Sequence, residues 1–209
     1  MKLFLASTNI TTELKPHFLN LVGKDLADIK FCLIENAADP YPEEQKGFVY
    51  ETRNVFEDLH MQLERIDLRE YKTNKNIYDG LKEFDVVWVG GGNVFYLRWI
   101  FKESGFDVAI TKLLKEGVVY GGGSAGAIVI CPTLERFDLV DDAGKSSQLI
   151  YQGLNLIDLI LIPHWGYEKY QGKLQEIKDY YDSTDYKVIT LSDSQALSID
   201  GSSQKICPT

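Results

Sequence analysis

The chain has 209 residues with 44% hydrophobic and 25% charged content, the proportions of an ordinary folded protein, and it is long enough to bury a core without metal or disulfide staples. A formal net charge of −9 with no local basic stripe opposes binding to nucleic acid or anionic lipid, and the apolar runs are too short to span a bilayer. Three well-separated cysteines, Cys32, Cys131 and Cys207, make neither a disulfide framework nor a metal half-site, which fits a reducing cytoplasm.

In chain order, the opening Met1 to Ser7 carries one basic residue and an apolar stretch too brief for a signal peptide, so it reads as a first core strand. An amphipathic helix holding His17 follows, then a buried strand over 29–34. Residues 40–62 are rich in charge and read as mostly helical, with His60 near the end and a solvated outer face. Further strand-like runs fall at 63–68, 85–89, 117–120, 159–162, 187–191 and 196–199. Helical spacing between them is clear in Ile110, Leu113 and Leu114, and again in Leu174, Ile177 and Tyr181. Residues 137–147, with Asp138, Asp141, Asp142 and Gly144, read as a surface loop. No repeat or low-complexity linker divides the chain, so residues 1–209 are expected to form one domain. Alternating strands and helices predict an α/β protein: a mostly parallel sheet with helices on both faces, hence three layers.

Two glycine clusters stand at the carboxyl ends of predicted strands, where open α/β sheets carry their sites. The first is Gly90-Gly91-Gly92-Asn93 after 85–89; the second is Gly121-Gly122-Gly123-Ser124-Ala125-Gly126, which matches the G-x-S-x-G nucleophile elbow. A serine at such a turn needs neighbours without side chains, because its backbone is forced toward positive φ against the adjoining strand. Neither cluster has the spacing of a dinucleotide or P-loop fingerprint, and no HExxH motif or His-rich tract implies a metal, so neither metal nor cofactor is expected.

A serine hydroxyl needs a base. His17 and His60 lie on predicted helices and read as surface or packing residues, whereas His164 follows the buried run Leu159-Ile160-Leu161-Ile162-Pro163 and falls on the same rim as Ser124. The imidazole in turn needs an acceptor on its other nitrogen. Asp193 and Asp138 are the candidates, with Asp193 preferred because it ends the strand that follows the His164 helix; Asp138 would give the chain order Ser, Asp, His. Cys131, among apolar neighbours on the expected elbow helix, reads as a core thiol.

The blocks Val89-Gly90-Gly91-Gly92-Asn93-Val94-Phe95, Gly123-Ser124-Ala125-Gly126-Ala127 with Cys131-Pro132-Thr133 beyond it, and Ile162-Pro163-His164-Trp165 resemble the signature of peptidase family S51, which includes the alpha-aspartyl dipeptidases and the cyanophycinases. The resemblance runs from Met1 to about Gly201. It implies a flavodoxin-like sheet related to class I glutamine amidotransferases, with serine at their cysteine position. It also implies Ser124 as nucleophile, His164 as general base, and an oxyanion hole from the N–H groups of Ala125 and the Gly91-Gly92 turn. On the helix after the histidine, the family's substrate-holding arginine is matched by Lys173, a point charge without the bidentate fork. The chain ends at Thr209, earlier than relatives that continue into a further hairpin.

These observations together predict a cytoplasmic serine hydrolase that cuts a short peptide through an acyl-enzyme. An esterase or amidase with the same triad, or an inactive binding module that keeps the fold, are the alternatives.

Overall fold

A computed structural model describes residues 1–71 and 76–208 of the chain. Nine strands and seven α-helices are seen among them. Strand β1 (Lys2–Ala6) leads through α1 (Lys15–Val22) to β2 (Lys30–Ile34), and α2 (Gly47–Asp58) leads to β3 (Gln62–Arg65). Helix α3 (Ile77–Leu81) precedes β4 (Val86–Val89); α4 (Val94–Ser104) and α5 (Phe106–Lys115) precede β5 (Val119–Gly123). Beyond a short α6 (Ala125–Ile128) come β6 (Leu159–Ile162), α7 (Gln171–Asp182), β7 (Lys187–Thr190) and the hairpin of β8 (Ala196–Asp200) and β9 (Ser203–Cys207).

The main sheet has seven strands in the order β3-β2-β4-β5-β1-β8-β9. The first five run parallel, and β8 joins β1 antiparallel. Alternation along β1 shows why the sheet is covered on both sides: Leu3 and Leu5 enter one apolar cluster with α4 and α5, while Phe4 and Ala6 enter another with Phe18 of α1. The second cluster is centred on Trp88, ringed by Phe18, Phe31 and Phe56 at centroid distances of 5.1 to 6.5 Å. This is the flavodoxin-like α/β arrangement expected from the sequence.

Four local features differ from the sequence expectation. Strands β6 and β7 pair parallel with each other and form a separate two-stranded sheet rather than extending the main one. The elbow helix α6 is only four residues long, because the carbonyls of Val129, Ile130 and Cys131 accept N–H groups of Leu154, Leu156 and Asn155 instead of continuing a helical ladder. Cys131 therefore lies past that helix, fully buried, where its sulfur accepts the Leu161 N–H at 3.3 Å and burial pushes the thiol up to about 12. The 40–62 helix is confined to α2, and the hairpin partner β9 was not signalled by its polar sequence.

Candidate active site

Strands β4, β5 and β1 are neighbours, so the loops after their carboxyl ends lie side by side. Ser124 follows β5 with φ +52°, and its N–H donates to the Ala6 carbonyl at the end of β1, 3.2 Å away. Close approach requires bare glycines on either side. A Cβ on Gly126 would fall 2.1 Å from the Val89 carbonyl oxygen, and one on Gly122 would fall 2.4 Å from the Gly126 carbonyl oxygen. The loop after β4 passes directly against the serine, since a Cβ on Gly91 would come within 3.2 Å of Ser124 Cβ. Gly92 has φ +142° and sits against the Ala37 backbone.

His164 follows β6 and is itself in the left-handed region, at φ +61°. Its Nε2 is 2.8 Å from Ser124 Oγ and its Nδ1 is 2.7 Å from Asp193 Oδ1. A carboxylate can only accept, so the proton sits on Nδ1 and the Nε2 lone pair is left to accept from the serine hydroxyl. Parallel pairing of β6 with β7 explains why residues 29 positions apart meet: both follow the carboxyl ends of adjacent strands. Asp138 is exposed on a 3₁₀ turn, and neither ring nitrogen of His164 bonds to it.

Loop N–H groups complete the rim. Gly90 N–H donates to Ile34 and Asn93 N–H to Ala37, while among the described residues the N–H groups of Gly91, Gly92 and Ala125 take part in none of these loop hydrogen bonds. Residues 137–147 are more than a surface loop. Asp141 turns inward and accepts the Val94 N–H at 2.8 Å, Asn93 caps the same helix α4 through Tyr96 N–H, and Asn93 Nδ2 donates to the Asp142 carbonyl. Burial raises the Asp141 carboxyl to about 7, against the Val94 N–H, which acts to lower it.

Ser124, His164, Asp193, Gly91 and Gly92 open onto a cavity of about 740 Å³. Its walls include the aromatic residues Tyr41, Phe48, Phe137, Tyr167 and Tyr170, and its acidic and basic members are Glu51, Asp141, Lys169, Asp193 and His164. Lys173 does not take the place expected of it. It is exposed on α7, where the helical period turns Leu174 toward the cavity instead, and the lysine lining the cavity is Lys169 in the turn before that helix. Ser7, Asp141 and Lys169 were not singled out from the sequence. The strand-end rule that picked out Ser124 and His164 applies equally to Ser7 after β1, whereas nothing in the Asp141-Asp142 pair signals which carboxyl faces inward. Among the described residues no group of three or more His, Cys, Asp or Glu side chains is arranged to hold a metal ion.

Residues 3–207 match the family model described as peptidase family S51. The chain belongs to this family. A protein from Listeria monocytogenes named as an uncharacterized peptidase is 28% identical over 160 residues, covering 76% of this chain and 77% of that one. Peptidase E from a Nostoc species is 28% identical over 91% of this chain and 75% of its own. A crystal structure of a Listeria monocytogenes protein provisionally named peptidase E superposes with a TM-score of 0.84 at 26% identity, covering 98% of this chain and 96% of that one. The S51 chain described here is thus a serine-type peptidase, a hydrolase whose substrates are peptides. Among its described residues no helix is long and apolar enough to cross a membrane.

Proposed function

We propose that this S51 peptidase is dipeptidase-like and cleaves a short peptide through an acyl-enzyme on Ser124, with His164 as general base and Asp193 as the acid that orients it. The observation that carries this reading is the unbroken hydrogen-bonded line from Ser124 Oγ to His164 Nε2 at 2.8 Å and from His164 Nδ1 to Asp193 Oδ1 at 2.7 Å, opening onto one cavity. Such a line lets the imidazole take the hydroxyl proton as Ser124 attacks the scissile carbonyl, while the carboxylate stabilises the resulting imidazolium. The developing oxyanion is received by the N–H groups of Ala125 and the Gly91-Gly92 turn. As the tetrahedral intermediate collapses, His164 returns the proton to the leaving amine; water then repeats the sequence against the acyl-serine. A cavity of about 740 Å³ suits a substrate of two or a few residues. The three cysteines are free and buried, which supports a cytoplasmic setting. One domain, residues 1–209, carries all of this chemistry.

A dipeptide-library screen with variant proteins as controls tests the reading. Ser124→Ala and His164→Ala each lower kcat by a factor on the order of 10⁴ to 10⁶. A Ser124→Ala protein that keeps substantial turnover of a genuine substrate rules out the covalent route.

A further inference from the structure

The groups that would carry the chemistry stand on two sheets that share no strand pairing. Ser124 follows β5 of the seven-stranded sheet, whereas His164 and Asp193 follow the two strands of the smaller one. Something must hold these two halves in register, because a displacement of about 1 Å at reacting groups can cost a hundredfold in rate.

Ser7, just past the end of β1 and fully buried, touches both halves. Its hydroxyl donates to Asp193 Oδ1 at 2.8 Å, the same oxygen that accepts His164 Nδ1–H, and accepts the backbone N–H of His164 at 2.6 Å. The preceding residue, Ala6, accepts the N–H of Ser124, and the following residue, Thr8, donates its hydroxyl to the Asp193 carbonyl at 3.1 Å. Ser7 N–H itself donates to the Gln195 carbonyl. The end of one strand thus binds the serine loop on one side and the His164 and Asp193 loops on the other.

We propose that Ser7 is a positioning residue for the serine peptidase reaction, acting through His164 and Asp193. The proposal rests on the reading of Ser124, His164 and Asp193 as a triad. Two physical needs meet at this hydroxyl. The Asp193 side chain is 44% exposed and would otherwise be free to turn its carboxylate toward water; a bond from the buried side holds Oδ1 toward the imidazole. The backbone of His164 is in the left-handed region, costly for a residue with a side chain, and the bond from its N–H to Ser7 Oγ helps to hold it there. Only a side chain that donates and accepts at once meets both needs. Alanine does neither, cysteine does both weakly, and threonine keeps the hydroxyl.

The test combines peptide turnover with the rate at which a fluorophosphonate labels Ser124. In the wild-type protein, Ser7→Ala should lower both rates about 10- to 100-fold with KM changed less than about threefold, and Ser7→Thr should recover most of the loss. On an Asp193→Asn background, Ser7→Ala should cost clearly less than in the wild type, because the carboxylate it orients is already gone and only the bond accepted from the His164 N–H remains to be lost. Equal losses on both backgrounds mean a general structural role and overturn the proposal, as does wild-type labelling by the Ser7→Ala protein. If Ser7→Ala does not fold, as judged by circular dichroism, Ser7→Cys goes through the same cycle with the same criteria. A wild-type protein that is not labelled at Ser124 removes the triad reading itself and this proposal with it, an outcome distinct from a labelled wild type that is indifferent to Ser7.

Discussion

Ser124 and His164 are both non-glycine residues at positive φ, +52° and +61°, a conformation that costs on the order of 1 to 3 kcal/mol each. Strain of this kind persists only where surroundings over-determine it, and here the bare glycines about Ser124 and the hydrogen bond that the His164 N–H donates to Ser7 Oγ do so. Asp193 is the carboxylate that meets His164, while Asp138 is exposed on its turn. Asp193→Asn therefore keeps the fold but presents the wrong hydrogen-bonding pattern to Nδ1, and kcat should fall by up to about 10⁴. Asp138→Asn should change kcat less than about threefold, since surface substitutions of this kind shift energies by only ~0.5 kcal/mol. Steady-state kinetics on the two purified variants check this ranking; the reverse order would move the acid's role to Asp138.

At the scale of elements, the elbow works because β5, α6 and the end of β4 approach closer than side chains allow. Gly126 lies on α6 where an added Cβ would press on the Val89 carbonyl, a backbone group that cannot rotate away. Gly126→Ala should destabilise the fold by about 2 to 4 kcal/mol and displace the serine loop, a double loss that urea unfolding and fluorophosphonate labelling measure separately. A variant with wild-type stability would show that β4 and α6 can part without penalty. The unit β6-α7-β7 brings a second requirement. Its parallel pair carries His164 and Asp193 to the same rim, but its placement against the main sheet depends on side-chain packing and on the bonds from the end of β1.

For the whole molecule, stability against pH follows from carboxyls whose affinity for protons changes on folding. Asp141 rises from 3.8 to about 7 because folding surrounds it with protein at the head of α4. The folded chain then holds this proton more tightly than the unfolded one, so the Asp141 contribution is fully present below about pH 4 and is lost as pH rises through about 7. Asp67 acts in the opposite sense. The Arg69 guanidinium and Asn36 hold it down to about 2, a stabilisation present above the usual carboxylate range and lost in acid, and modest because Arg69 is more than half exposed. Asp141→Asn keeps an acceptor for the Val94 N–H without the charge. Its unfolding free energy should match wild type near pH 4 and exceed it at pH 8 by about 2 to 4 kcal/mol. Urea unfolding of both proteins across that range checks the sign; a constant difference would mean that Asp141 titrates alike in both states.

Much of this molecule is legible in local pattern. Buried strands announce themselves as short apolar runs, and two runs ending in glycine identify the loops that must pass close to other backbone; a serine in one of these loops and a histidine at the end of another strand then point to a serine hydrolase. That reasoning works because burial and backbone sterics act on neighbours in the chain. Pairing does not. Whether β6 and β7 extend the main sheet or stand apart, which of two aspartates meets His164, and which lysine lines the cavity all depend on contacts between residues far apart in sequence, to which local propensity is indifferent. Ser7 is the clearest case: at its own position it is one more polar residue after a strand, and only the meeting of three strand ends gives its hydroxyl both a carboxylate and a backbone N–H.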